Sequence, residues 1–298
     1  MDDARLYLRV LDAGSLKAAA AQVGMDPSTV TRRMAALEDR LGVRLLHRST
    51  RRTTPTDAGA RYAEGLRRLL EQQDALEAEL GGLATVPQGR LRITAPLDFG
   101  ARFVVPVVAA LQDQAPDLEV ELELGHSFVS LTEQGIDVAI RVGRLADAAL
   151  VARRLGAVPR VLVASPDYLA RHGSPRRPED LVDHRFVFYR RENQVARLEL
   201  VGKDGPVSVP MSGRLYVNSV SAIVDLVAQG RGLHLGPRWA FYAALAAGAV
   251  VEVLPAYQTP AYPLHALYAP TPYVPAKIRL FLDAMAAAVR ADPALSER

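Results

Sequence analysis

The chain has no cysteine among its 298 residues, which excludes disulfides, thiolate nucleophiles and cysteine-ligated zinc. Its six histidines (His47, His126, His172, His184, His234, His265) are scattered without metal-ligand spacing. No apolar run approaches the roughly 20 residues that a membrane helix needs, and the opening MDDARLYLRV carries acids where a secretory signal wants bases. A cytoplasmic protein with no membrane partner is expected. Enzymatic signatures are missing too. GHSFV lacks the second glycine of a hydrolase elbow, GRGLHLG follows a helix and enters a strand, the reverse of a dinucleotide loop, and there is no Walker loop. No catalytic residue, metal or cofactor is expected. A cytoplasmic metabolic enzyme with a structural N-terminal helical bundle is the alternative reading.

What is present is a chain that is 49% hydrophobic, long enough for two domains, with 36 basic and 33 acidic residues. A net charge of +3 is too small to identify a nucleic-acid binder, so distribution has to decide. From Arg40 to Thr56 there are five arginines (Arg40, Arg44, Arg48, Arg51, Arg52) and no acid, whereas residues 64 to 80 carry Glu64, Glu71, Asp74, Glu77 and Glu79. Beside this basic stretch lies a strong helix start: Asp26 as N-cap and Pro27 at the first helical position. Val30, Met34, Leu37 and Leu41 then recur at helical spacing and form one buried stripe, which turns Ser28, Thr31, Arg32 and Ala35 outward.

Upstream, Leu16 to Val23 reads as a shorter helix capped by Ser15 and ended by Gly24. Only Gly24, Met25 and Asp26 separate the two helices, which is the sequence form of a helix-turn-helix. Downstream, Val43, Leu45 and Leu46 point to the core before a polar, basic segment suited to a β wing. In such a unit the exposed helix enters the major groove. Ser28, Thr29, Thr31, Arg32 and Arg33 then supply base and backbone contacts, while Arg51 and Arg52 reach phosphate or the adjacent minor groove. An ordinary three-helix bundle with a solvated face is the alternative for any one of these features.

The stretch AGSLKAAAAQVGMDPSTVTRRMAALEDRLGVRLLHRSTRRTTPTDAG resembles the N-terminal domain of LysR-type transcriptional regulators. The alanine-rich helix, the Ser/Thr-rich recognition helix, Leu37-Glu38, Leu41-Gly42, Leu45-Leu46, Arg48, Thr50 and Thr56-Asp57-Ala58-Gly59 carry the likeness. One departure is Asp26-Pro27, where many relatives have Ser-Gln.

From Asp57 onward, Tyr62, Leu66, Leu69, Gln73, Leu76, Leu80 and Leu83 alternate spacings of four and three, the seam of a coiled coil. A helix of about 25 residues extends on the order of 40 Å. Packing on its own domain is the plain alternative, but a seam this long beside a DNA-binding unit is better explained by pairing with a second copy, and the family's long linker helix does the same. GGLATVPQG marks a hinge, after which strands and helices alternate in βαβα order, implying a parallel sheet covered by helices.

By resemblance this part is a two-lobed, periplasmic-binding-protein-like effector domain. The expected fold class is therefore α+β multidomain: a winged helix-turn-helix over residues 1–58 (helix-turn-helix about 16–40), a linker helix over 59–84, a hinge at 85–89 and an effector domain over 90–298. Its lobes are expected at about 90–162 plus 268–298, and 163–267. Ligands in such domains bind beyond strand ends, near helix N-termini. That places the effector near Pro96, Leu97, Asp98 and Phe99, near His126, Ser127 and Phe128, near Arg141 and Val142, near Asn218, Ser219 and Val220, and near Gly236 to Arg238. His126 also reads as an exposed loop residue, Arg141 as the partner of an acid such as Asp137 or Asp98, and Asn218-Ser219 as a plain helix N-cap. Asp98 stands where relatives have Ser or Thr and is expected to repel an anion, leaving room for a bulky apolar or mixed-polarity effector. Expected partners are double-stranded DNA, a small-molecule effector of unknown identity, a second copy in a homodimer or homotetramer, and RNA polymerase.

Overall fold

The computed structural model describes residues 2–48, 53–80, 87–125, 131, 135–143, 145, 150–189, 197–271 and 273–295. The chain divides into two compact units, residues 1–85 with 273–275 and residues 86–272 with 276–298.

In the first unit, α1 (Asp3–Ala13) starts on Asp2, whose carboxylate accepts the Arg5 N–H at 2.7 Å. Ser15 caps α2 (Leu16–Val23) through the Ala18 N–H at 3.1 Å, and Gly24 ends it at φ 64°, a left-handed conformation that glycine adopts without strain. The next helix, α3 (Pro27–Leu41), follows at once. Val30, Met34 and Leu37 are buried with Leu6, Tyr7, Val10, Ala19, Ala20, Leu45 and Leu46. Two expected core residues are not: Leu41 is 38% and Val43 42% exposed, because the helix runs past the core in its last turn, and Glu38 faces inward instead at 3% exposure.

A two-stranded antiparallel ribbon follows, β1 (Leu46–Arg48) and β2 (Thr53–Pro55), with His47 opposite Thr54. The 24-residue α4 (Asp57–Leu80) comes next. Its Tyr62, Ala63, Leu66 and Leu70 pack on the unit's own core. Leu69, on the expected seam, is 63% exposed.

The second unit has two lobes. The chain runs through β3 (Gly89–Ala95), α5 (Leu97–Phe99), a π-type turn (Gly100–Val104), α6 (Val105–Gln114), β4 (Leu118–Leu124), β5 (Val138–Val142) and β6 (Val151–Val158). The stretch between β4 and β5 falls mostly outside the described residues. Beyond Pro159 the chain builds the second lobe: β7 (Arg160–Ala164), α7 (Pro166–His172), β8 (Arg185–Tyr189), the hairpin β9 (Arg197–Gly202) and β10 (Gly205–Pro210), β11 (Ser212–Val217), α8 (Val220–Ala228), β12 (His234–Pro237), α9 (Arg238–Ala246) and β13 (Val251–Glu252). It returns as β14 (Tyr262–Tyr268) and closes with α10 (Ala276–Ala291).

The first lobe's sheet has the order β4-β3-β5-β14-β6. β3 is parallel to β4 and β5, but β14 is antiparallel to both its neighbours, so the sheet is mixed rather than parallel. The reason is topological: β14 is a returning strand that enters from the other lobe. It also moves the expected lobe boundaries. The crossings fall at Pro159 and just before Tyr262, not at 162 and 268. They lie side by side there, Arg160 Nε donating to Pro260 O at 2.6 Å, Thr259 Oγ1 donating to Arg160 O at 3.1 Å, and the Arg160 guanidinium 4.3 Å from the Tyr262 ring centre.

In the second lobe β12 and β13 flank β7, both antiparallel to it, while β8 pairs with β11 in parallel. His234 on β12 is buried with Nδ1 2.8 Å from Val187 O, and burial pushes its pKa down to about 4. The carbonyl accepts, so Nδ1 carries the proton of a neutral ring. Free histidine titrates near 6.5. As pH falls from about 6.5 towards 4, the unfolded chain takes up a proton that the fold refuses, and stability drops by about 1.4 kcal/mol per pH unit across that window. His234→Asn keeps an N–H donor for Val187 but does not titrate. Urea melts of both proteins at about pH 7 and about pH 4.5 should show a smaller acid loss in the variant.

Candidate functional site

On α3, Ser28 and Arg32 are exposed while Thr29, Thr31 and Arg33 are partly covered. The Thr31 hydroxyl donates to Pro27 O at 2.8 Å. Arg33 is turned back into the unit, its Nε 2.6 Å from Asp3 Oδ1 on α1. Ser28 and Arg32 therefore lead the outward face, and Arg33 braces α3 against α1. Asp26 occupies the N-cap position in extended conformation, yet its side chain makes no cap hydrogen bond. Arg51 and Arg52 lie outside the described residues, between β1 and β2 in the sequence.

Glu38 fixes the ribbon relative to this helix. Its Oε1 accepts the Leu45 and Leu46 N–H groups at 2.9 and 3.1 Å, and its Oε2 lies 3.1 Å from Arg44 Nη1. Thr56 closes the other end, its N–H donating to Leu45 O at 3.0 Å and its hydroxyl to Arg44 O at 2.7 Å, while the same oxygen accepts the Gly59 N–H at 3.0 Å. A Cβ on Gly59 would stand 2.0 Å from Leu45 O, so only glycine lets α4 approach so closely. Burial, reinforced by the charge of Glu38, pushes the nearby Tyr7 hydroxyl up to about 12. The Leu-Glu and Thr-Asp-Ala-Gly pieces of the motif thus act on one chain segment, Arg44 to Leu46. The signal for Glu38 was visible as an acid at a core-facing position one turn beyond Met34.

In the second unit, Asp98 joins the lobes. Its Oδ2 accepts the Val220 N–H at 2.7 Å and its Oδ1 the Ser221 N–H at 3.1 Å. Ser219 caps the same helix through the Ala222 N–H at 3.3 Å. Leu97 to Phe99 and Asn218 to Val220, named separately from sequence, are thereby brought together, with Pro96 partly covered just before them and Asn218 exposed.

Beside them Phe99 and Phe103 meet Trp239 at ring distances of 6.5 and 5.3 Å, and Arg102 lies over Phe103 and Trp239. Trp239 was not legible as a lobe contact, since a tryptophan in an alanine-rich helix reads as core.

Arg141 and Val142 end β5 opposite His265 and Leu264. Burial pushes the Arg141 pKa down from its ordinary value and Glu123 pulls it back. Asp137, one suggested partner for Arg141, accepts the Arg92 N–H at 2.8 Å and lies 3.5 Å from Lys277 Nζ. Gly236 is buried inside the second lobe, where a Cβ would come within 2.4 Å of the His234 ring, and Arg238 makes two 2.9 Å contacts with Glu252. His126, Ser127 and Phe128 lie outside the described residues. A recess of about 500 Å³ opens between α6 and α10, lined by Pro106, Val107, Ala110, Met285 and Ala288 among others, and no expected effector residue lines it. Among the described residues no acidic and histidine cluster could hold a metal, and no helix is long and apolar enough to cross a membrane.

A winged helix-turn-helix, a long helix and a two-lobed α/β domain together define a DNA-binding regulator with an effector-binding fold. Residues 1–60 match the family model for the bacterial regulatory helix-turn-helix protein, lysR family, and residues 84–290 match the LysR substrate binding domain. The chain belongs to the LysR family of transcriptional regulators.

It is 34% identical to the HTH-type transcriptional regulator DmlR of Escherichia coli over 95% of this chain and 92% of that one. It is 32% identical to the transcriptional activator AaeR of the same species over 94% and 91%. Among solved structures it is similar to full-length AphB, a Vibrio cholerae virulence activator (TM-score 0.58, 30% identity, 96% and 98% covered), and to CrgA of Neisseria meningitidis (0.59, 27%, 96% and 97%). All four bear the names of transcriptional regulators or activators.

Glu38→Ala leaves two buried N–H groups and one strand start without an acceptor. It should lower the stability of the N-terminal unit by about 2 to 4 kcal/mol, read as the first transition of a thermal melt. Glu38→Gln keeps an acceptor for those N–H groups and gives up the charge that pairs with Arg44, which is 72% exposed, so its loss should be smaller than that of the Ala variant.

Proposed function

We propose that this chain is a homodimeric or homotetrameric, sequence-specific regulator whose DNA binding is set by a small effector held between the two lobes. The observation that carries the reading is the α2–α3 pair, in which a fully buried stripe of Val30, Met34 and Leu37 presents Ser28 and Arg32 to solvent. Arg32, with Thr29 and Thr31 beside it, reads base edges in the major groove. Arg51 and Arg52, on the segment joining β1 to β2, take phosphate or the adjacent minor groove. Arg33 serves the same interface indirectly, by holding α3 on Asp3. The assignments of Pro96 to Phe99 and Asn218 to Val220 to the effector cleft are favoured by their meeting across the lobes. Those of Arg141 and Val142 rest on strand-end position alone. RNA polymerase is a further partner for such a regulator.

A gel shift with the DNA flanking the coding region tests the core of this reading. No binding at low salt, together with turnover of a small substrate, would favour an enzyme. Arg32→Ala should cost about 1 to 3 kcal/mol on the best operator and less on variants altered at its base. Arg51→Ala should weaken all sequences alike and reduce the salt slope by about one. Equal losses across sequences for both variants would refute that division.

Self-association is favoured by Leu69, a seam residue left 63% exposed by packing within the chain. Leu69→Asp should shift the protein towards monomer in sedimentation and weaken binding to a two-part operator by about 100-fold or more, since two linked heads gain at least that from each other. Unchanged mass and affinity would remove α4 from the interface.

A further inference from the structure

Asp98 and α8 are 122 residues apart in sequence and belong to different lobes, yet one carboxylate takes the N–H groups of the first two residues of that helix. With Ser219 serving the third, the start of α8 is fully satisfied, and two of its three donors are satisfied from the opposite lobe. A carboxylate on two amides at a helix N-terminus is a charge-assisted arrangement that the helix dipole favours. Next to it, Trp239 Nε1 is buried without a hydrogen-bond partner, so the closed contact contains one unmet donor.

We propose that Asp98 is a built-in latch: its side chain pins the lobes together before any effector binds and fills the place where an effector carboxylate would otherwise sit. The proposal rests on the reading of this unit as an effector domain. The latch has two consequences. A small anion must displace a tethered competitor whose effective concentration is far above its own, so the cleft selects against simple carboxylates. An effector that opens the lobes must break this contact, whereas one that keeps them closed must bind around it. The ring contacts of Phe99 and Phe103 with Trp239 carry no net charge and add adhesion that an anion cannot compete away.

The protein has a single tryptophan, Trp239, and it lies at this lobe contact, so its emission in the full chain reports the latch without DNA or effector. In Asp98→Ala the emission should move to the red, and amide exchange at Val220 and Ser221 should speed up by about tenfold or more. Sodium acetate, used as a probe, should reverse both changes in Asp98→Ala and leave the wild type unmoved. Val220→Pro guards against a misfolded Asp98 variant. Proline is well accepted at the first position of a helix, so α8 persists while the shorter of the two hydrogen bonds is lost, and a smaller red shift is expected. Wild-type emission in either variant, or acetate acting equally on wild type and Asp98→Ala, overturns the latch. A failure of the regulator reading would appear separately, as loss of operator binding in the wild-type gel shift with the latch signals intact.

Discussion

A helix begins with backbone N–H groups that no carbonyl of its own can reach, and the way each start is satisfied orders this protein. Asp2, Ser15, Thr56 and Ser165 answer the need locally, each accepting an N–H three residues further on. Those helices are scaffolding. At α3 the side chain of Asp26 makes no such bond, and Pro27 removes one donor from the problem. At α8 the local cap is joined by a carboxylate from another lobe. Starts without a side-chain cap occur at α5, α6 and α9 as well, so what sets α8 apart is that a second acceptor reaches it from the other lobe.

The recognition helix is useful only if the ribbon stands at a fixed angle to it, and one buried carboxylate sets that angle. Glu38 is 3% exposed, and water cannot replace its hydrogen bonds to Leu45 and Leu46. Leaving a carboxylate there without donors would cost several times the roughly 0.5–1.5 kcal/mol of an ordinary hydrogen bond. Hence Tyr7, Thr56 and Gly59 crowd onto the same three residues: Tyr7 and Thr56 hold the carbonyls of Arg44 and Leu45 while Gly59 admits the next helix. A segment held from both its N–H and its C=O side does not swing, so α3 and the ribbon move as one head.

Local order made the first unit readable from sequence. The bounds of α2 follow from Ser15 and Gly24, and the buried face of α3 from a spacing that involves no distant residue. Where that logic failed, at Leu41, Val43 and Glu38, the deciding partner lay outside the helix: the core stops short of Leu41, and backbone amides further along the chain make burial of an acid favourable. The second unit was readable as alternating elements in two lobes but not as a strand order. Nothing near Tyr262 records that β14 joins β5 and β6, because a returning strand has the same alternation as an outgoing one. Asp98 was singled out by its charge, but its partners were not legible, since a sequence shows the carboxylate and not the donors waiting 122 residues on.

The scale of the Asp98 contact suits regulation. A ligand shifts a two-state equilibrium only by the difference in its affinity for the two states, and allosteric coupling typically amounts to about 1–3 kcal/mol. Two hydrogen bonds to a charged acceptor amount to about 3–6 kcal/mol net, and their partial exposure to solvent brings them down towards that range. A much stronger tie would hold the lobes against any effector, and a weaker one would leave the closed form unselected. Because the neighbouring rings of Phe99, Phe103 and Trp239 hold without charge, polar chemistry at Asp98 changes the balance between the lobe arrangements without having to supply all of the lobe adhesion. A change of that size would suffice for a regulator of the proposed kind, because each kcal/mol of coupling alters operator affinity about fivefold.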